Sequence, residues 1–194
     1  MASFTSIDIC NLALTALGEE RIVALTDNTA QAQACKAFYD HAVEEVLRVA
    51  KWASILSRAE LAQLADAPLM GWGYQYQLPN NCLRVWELQD SGGNKGHPWI
   101  KEGKRLLTDM DEAFIVYASN AVDTSQYDSL LRSTIAYRLA YHLAYSLTQS
   151  REIQAQQWQQ FVVLMHEARA ANAAEGLPEA DMDEVPESKS WTAR

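Results

Sequence analysis

The chain has 194 residues, with 16 Lys and Arg against 25 Asp and Glu, for a net charge of −9 at pH 7. A hydrophobic share of 48% is enough to bury a core, and no run of about 18 apolar residues offers a membrane span. The acidic balance argues against a protein that grips nucleic acid, because that grip depends on neutralising phosphates.

Residues 5–52 read as helical. Thr5 followed by Asp8 has the spacing of a capping box, in which each side chain bonds the other residue's backbone N–H. Ile9, Leu12, Ala13, Ala16 and Leu17 then form one apolar face, and Gly18 is a natural stop. Asp27-Asn28-Thr29 can cap a second, longer helix with Cys35, Phe38, Ala42, Val46 and Val49 inward. Lys36, Asp40, Glu44 and Arg48 alternate in sign on its other side, each neighbouring pair contributing about 0.2–0.5 kcal/mol. That stripe is solvated or faces another subunit.

Residues 53–120 change character and hold most of the glycines. Tyr74-Gln75-Tyr76-Gln77-Leu78 alternates and ends at Pro79, and 83–88 is a second short run. Trp99-Ile100-Lys101 and Arg105-Leu106-Leu107 flank Glu102-Gly103-Lys104 as a hairpin. Residues 113–118 make an apolar run of strand length. Together they predict a small antiparallel sheet. Residues 53–64 have a composition that favours helix, with a long strand as the alternative.

Residues 124–175 return to helix. Ser125 and Asp128 repeat the capping-box spacing. Leu131, Ile135, Leu139, Leu143 and Leu147 form a ladder at four-residue steps, with Tyr137, Tyr141 and Tyr145 beside it. Ser150 can cap a further helix with Trp158, Phe161, Val162, Met165 and Ala168 inward, giving an antiparallel helical hairpin. Residues 176–194 carry five acidic residues against two basic ones, with Pro178 and Pro186, and cannot build a core. They nevertheless end in Ser-Trp-Thr-Ala-Arg, an anchor-like finish for a segment that can extend about 60 Å. The fold class expected is mainly α with a small antiparallel β insertion: one domain over 1–175 and an extended tail over 176–194.

The chain holds no recognisable catalytic arrangement. Gly71-Trp72-Gly73 lacks the third glycine and the βαβ setting of a dinucleotide loop, and there is no P-loop or Gly-x-Ser-x-Gly elbow. His41, His97, His142 and His166 lie far apart, and His142, among leucines and tyrosines, reads as a core or interface histidine. Cys10, Cys35 and Cys82 are odd in number, are widely spaced and form no Cys-x-x-Cys pair. They speak against a disulfide framework or a zinc site and for a reducing, intracellular setting. Cys35, on an apolar face, reads as structural. Asp181, Asp183, Glu184 and Glu187 lack the glycine and flanking helices of a calcium loop. The opening Met-Ala-Ser-Phe-Thr-Ser-Ile-Asp has no leader pattern. Lys101, Lys104 and Arg105 form the one basic cluster, at the hairpin tip. No cofactor, metal or enzymatic activity is expected.

Residues 8–22, DICNLALTALGEERI, are followed by Ala34-Cys35, Tyr39-Asp40, Glu45, Leu47-Arg48 and Trp52, then Leu78-Pro79 and Cys82-Leu83-Arg84-Val85. In this order they resemble the tail tubular protein A family of phage head-to-tail adaptors, and more distantly the packaged-DNA-stabilising adaptors and connectors. Ser54-Ile55 and Asn81 depart from the pattern at packing and turn positions. The resemblance implies a virion protein, made in the host cytoplasm and placed at the tail vertex. About a dozen copies, a dodecamer, would ring the base of the portal protein and join it to the tail nozzle, tail tubular protein B, and help seat tail fibres. Genomic DNA would pass through an acidic lumen without specific binding, and no membrane is involved. On this reading Val185, Trp191 and Arg194 would dock on the portal, and Lys101, Lys104 and Arg105 would meet nozzle, fibre or a neighbouring copy. The alternatives are a helical ligand-binding or regulatory domain and, further off, a tail-associated hydrolase. The latter would need two carboxylates about 5–9.5 Å apart. Glu19-Glu20 and Glu44-Glu45 are adjacent and point to different helix sides.

Overall fold

In a computed structural model, residues 4–175 are described, and they form an α+β fold. Helix α1 spans Ser6–Leu17. The Thr5 N–H donates to Asp8 Oδ2 at 2.8 Å and the Asp8 N–H donates back to Thr5 Oγ1 at 3.4 Å, so the expected capping box forms. Gly18 closes the helix at φ 74°, a left-handed conformation that favours glycine. Helix α2 spans Ala30–Val49, with Thr29 Oγ1 accepting from the Ala32 N–H at 3.2 Å. Helices α3, Ser129–Thr148, and α4, Arg151–Glu175, form the expected hairpin.

Helix α3 is the central helix and packs on each of the other three. Leu131, Ile135, Leu139 and Leu143 are fully buried along it, since residues four apart share a helix face. One group of core side chains, including Leu14, Cys35, Ala42 and Leu143, fills the space between α1, α2 and α3.

Seven strands lie between α2 and α3: β1 Leu56–Glu60, β2 Ala62–Gln63, β3 Tyr74–Gln77, β4 Cys82–Gln89, β5 Trp99–Glu102, β6 Arg105–Thr108 and β7 Phe114–Ser119. They make two antiparallel sheets, ordered β1-β7-β4 and β2-β3-β6-β5. Glu102 pairs with Arg105 across the β5–β6 turn, where Gly103 takes φ 58°. Tyr76, Leu106 and Ile115 are buried in the core that these sheets share. A further core, with Trp52, Ile55, Leu83, Leu131, Ile135 and Phe161, joins sheet to helices.

The C-terminal end of α2 is the joint. Ala50 leaves the helix in an extended conformation, without a left-handed cap. The last carbonyls therefore need donors from elsewhere. Trp52 Nε1 donates to Val46 O at 2.9 Å, Arg84 Nη1 to Arg48 O at 3.0 Å and Arg169 Nη2 to Val49 O at 3.2 Å.

Several expectations are corrected. Of the two readings of residues 53–64, helix is overturned and strand holds in part: a short 3-10 turn is followed by β1 and β2, because Leu56 to Glu60 pair with Phe114 to Ala118 of β7. The insertion is two sheets instead of one. Asp128, accepting from the Leu131 N–H at 2.8 Å, caps α3 directly, while Ser125 sits in a preceding 3-10 turn capped by Asp123. Val49 and Trp158 face outward, at 44% and 40% exposure. The tail residues Val185, Trp191 and Arg194 lie outside the described residues.

Candidate functional site

Two complementary pairs face each other across the α2–α3 contact. His41 and Glu45 are four apart on α2, and Arg138 and His142 are four apart on α3, so each pair lies on one helix face. Arg138 grips Glu45 with two parallel bonds, Nε to Oε2 at 2.8 Å and Nη2 to Oε1 at 2.7 Å. His142 Nε2 lies 2.7 Å from Oε2, and His41 Nε2 lies 3.4 Å from Oε1. The Glu45 carboxyl is held down at about 2, first by the Arg138 hydrogen bonds and then by His142, against the opposing effect of burial.

Aromatic rings fix the arrangement. The Arg138 guanidinium lies 5.2, 5.1 and 5.3 Å from the ring centres of Tyr141, Trp158 and Phe161. The His142 ring stacks parallel on Phe38 at 5.7 Å and meets the Tyr141 ring edge-on at 5.4 Å. Beside the cluster is a cavity of about 510 Å³ lined by His41, Glu45, Arg48, Trp158, Phe161 and Met165. Its floor is apolar and its polar wall is the Glu45 cluster. Trp158, expected in the core, instead covers Arg138 at this edge.

In the sequence the four histidines lie far apart. The fold brings His41 and His142 to one carboxylate although Glu45 and His142 are 97 positions apart. The available signal was a matched pair of i,i+4 motifs of opposite charge, which becomes specific only once α2 is known to pack on α3. Chemically, Glu45 stays ionised through the physiological range, and Arg138 and His142 already bind both of its oxygens. It lacks the raised pKa of a glycosidase proton donor.

A second recess, of about 410 Å³, lies where α2 meets the sheets and is lined by Arg48, Arg84, Trp86, Trp99 and Lys101 among others. Arg84 stacks over Trp86 at 4.2 Å. The buried Trp86 Nε1 has no hydrogen-bond partner among the described residues. Of the basic hairpin residues, Lys101 is exposed at this recess. Lys104 is exposed in the turn, its carbonyl accepting from the Leu78 N–H at 3.0 Å. Arg105 turns to Gln75 Oε1, 3.2 Å from Nη1. The three share one hairpin but not one pocket.

Cys10 and Cys35 are buried and reduced, in keeping with a structural role, and the Cys10 thiol is pushed up by its hydrogen bond with Cys35 and by burial. Cys82 is half-buried and also free. No helix among the described residues is long and apolar enough to cross a membrane. The chain matches no family model and no curated protein sequence.

Proposed function

We propose that the chain is a structural virion protein of the head-to-tail adaptor kind, forming a ring of about a dozen copies between portal and tail nozzle. The observation that carries this reading is where the residues of the resemblance fall. Asn11 clamps the chain after α1, with its carboxamide donating to Ile22 O at 3.0 Å and accepting from the Ile22 N–H at 2.8 Å. Glu45 joins α2 to α3, Trp52 closes the end of α2, and Arg84 ties β4 to the Arg48 carbonyl. These four residues of that pattern are joints of the scaffold, as expected if the likeness is one of architecture.

The net charge of −9 per chain also supports it, since a ring of such chains repels phosphates and lets DNA slide. On this proposal Val185, Trp191 and Arg194 dock on the portal, and Lys101, Lys104 and Arg105 contact nozzle, fibre or a neighbouring copy. The subunit stays a monomer at micromolar concentration until the portal templates the ring.

The test is location. Gradient-purified, DNA-filled particles from the producer are probed with an antibody, and copies are counted against the major capsid protein. About a dozen copies at the tail vertex support the adaptor. Absence from particles, with the chain in the soluble cell fraction, overturns it. In that case the cavity beside Glu45 favours a ligand-binding domain.

A further inference from the structure

We propose that His41, Glu45 and His142 form a binding site for one divalent cation of the zinc class. Two imidazole nitrogens and a carboxylate oxygen are a donor set that suits borderline ions such as zinc, while magnesium and calcium prefer oxygens alone. Candidate ligand atoms of the three residues lie within 4.8 Å of one another. Zinc bonds of about 2.0–2.1 Å in tetrahedral geometry place ligand atoms roughly 3.4 Å apart. Glu45 Oε1 stands 3.4 Å from His41 Nε2 and its Oε2 stands 2.7 Å from His142 Nε2, so the two imidazoles flank the two oxygens of one carboxylate, and a shift of His41 toward Oε2 brings all three ligands into range. The His41 side chain is 60% exposed and free to make most of it.

The surroundings have what a metal site requires beyond its ligands. Stacking on Phe38 and the edge of Tyr141 sets the plane of His142. The Arg138 bonds orient the Glu45 carboxylate, as outer hydrogen bonds do for metal ligands. The cavity bordering His41 and Glu45 leaves room for a further ligand such as water. Arg138 also brings a positive charge, so the affinity is expected to fall short of a structural zinc finger. The same geometry can be satisfied without metal, by two imidazole N–H groups donating to a carboxylate that Arg138 has already neutralised. The experiment separates these readings.

Chelator-stripped, reduced full-length chain is titrated with Zn²⁺ against a chromophoric chelator, and with Co²⁺ as a spectroscopic probe. One Zn²⁺ per chain is expected. His41→Ala and His142→Gln should each weaken binding by at least about tenfold. Cys82→Ser should leave it unchanged, and the Co²⁺ spectrum should lack a thiolate charge-transfer band. His41 is a surface residue, so its variant keeps the helical circular dichroism and isolates the ligand effect. Failure of the full chain to take Zn²⁺ from the chelator overturns the proposal. So does binding that survives both histidine substitutions or disappears with Cys82→Ser. None of these outcomes bears on the adaptor reading: the two share Glu45, but that reading uses only its bonds to Arg138, which neither histidine substitution removes, and its own test is location in the particle.

Discussion

Asn11→Ala removes the clamp between α1 and the chain that follows it. Asn11 and Ile22 are both buried, at 7% and 6% exposure. The carboxamide satisfies the Ile22 N–H at 2.8 Å and the Ile22 carbonyl at 3.0 Å. Truncation strands both groups away from water, at about 1–3 kcal/mol each. The variant should therefore lose about 2–6 kcal/mol, a large part of the roughly 5–15 kcal/mol that holds a domain together. For a chain of this size that is a fall in Tm of about 4–24 °C. Urea unfolding at neutral pH measures the loss directly, provided the slope against denaturant is unchanged.

Asn11→Asp sharpens the test. It keeps the acceptor for the Ile22 N–H but sets a carboxylate oxygen against the Ile22 carbonyl. In the folded state this disfavours the ionised form and raises the new residue's pKa. The sign follows: relative to the wild type, the Asp variant is worst at neutral pH and recovers on acidification, when the protonated acid can donate. Asn11→Ala shows no such recovery. A loss under about 1 kcal/mol in Asn11→Ala, or an Asp variant without relative recovery in acid, would refute the clamp.

Three further outcomes follow from other contacts. The Glu45 carboxyl, held at about 2 against an ordinary 4.5, contributes stability that is complete above about pH 4.5 and is lost as pH falls toward 2. Acid unfolding of Glu45→Gln should be flatter across that window than that of the wild type, and a superimposable difference curve would remove Glu45 from the account. Leu139→Ala, in the centre of α3, should cost about 2–5 kcal/mol in denaturant unfolding, because the residue is fully buried among α1, α2 and α3. Arg84→Ala should cost about 0.5–1.5 kcal/mol and speed amide exchange near β4, by freeing the Arg48 carbonyl and uncovering Trp86.

Where the determinants are local, the sequence was readable. Thr5, Asp8 and Gly18 bracket α1 within a few residues of one another, and each does what its chemistry dictates. The Leu131-to-Leu143 ladder needs only helical spacing, and the Glu102-Gly103-Lys104 turn needs only a glycine able to take positive φ. What stayed hidden depends on partners far along the chain. Residues 56–60 have no strong strand preference and are strand because β7 accepts their register. The division into two sheets is set by which strands β6 and β7 choose. Trp158 follows the apolar spacing of α4, yet its ring is drawn to the edge of the bundle by the Arg138 cation. The Glu45 cluster was least visible of all, since neither helix alone contains more than half of it.

The end of α2 shows what structural work several residues of the family-like pattern do. A helix that stops without glycine leaves carbonyls bare, and here the donors come from three other places: the Trp52 indole, Arg84 on β4 and Arg169 on α4. Two of them are guanidiniums, which also match the negative end of the helix dipole. Substituting Trp52, Arg84 or Arg169 would free a different carbonyl of α2, and Arg48 enters only through its backbone oxygen. One turn and more earlier, Glu45 ties the same helix to α3 through Arg138. Helix α2 thus holds polar ties to both sheet and bundle, beside the apolar core in which α3 and α4 also meet the sheet. In the adaptor proposed above, load between a partner on the sheets and a partner on the helices would be shared by these contacts and by the core around Trp52, Leu131 and Phe161. A joint of that kind demands well-placed hydrogen bonds, and Glu45, Trp52 and Arg84 supply them.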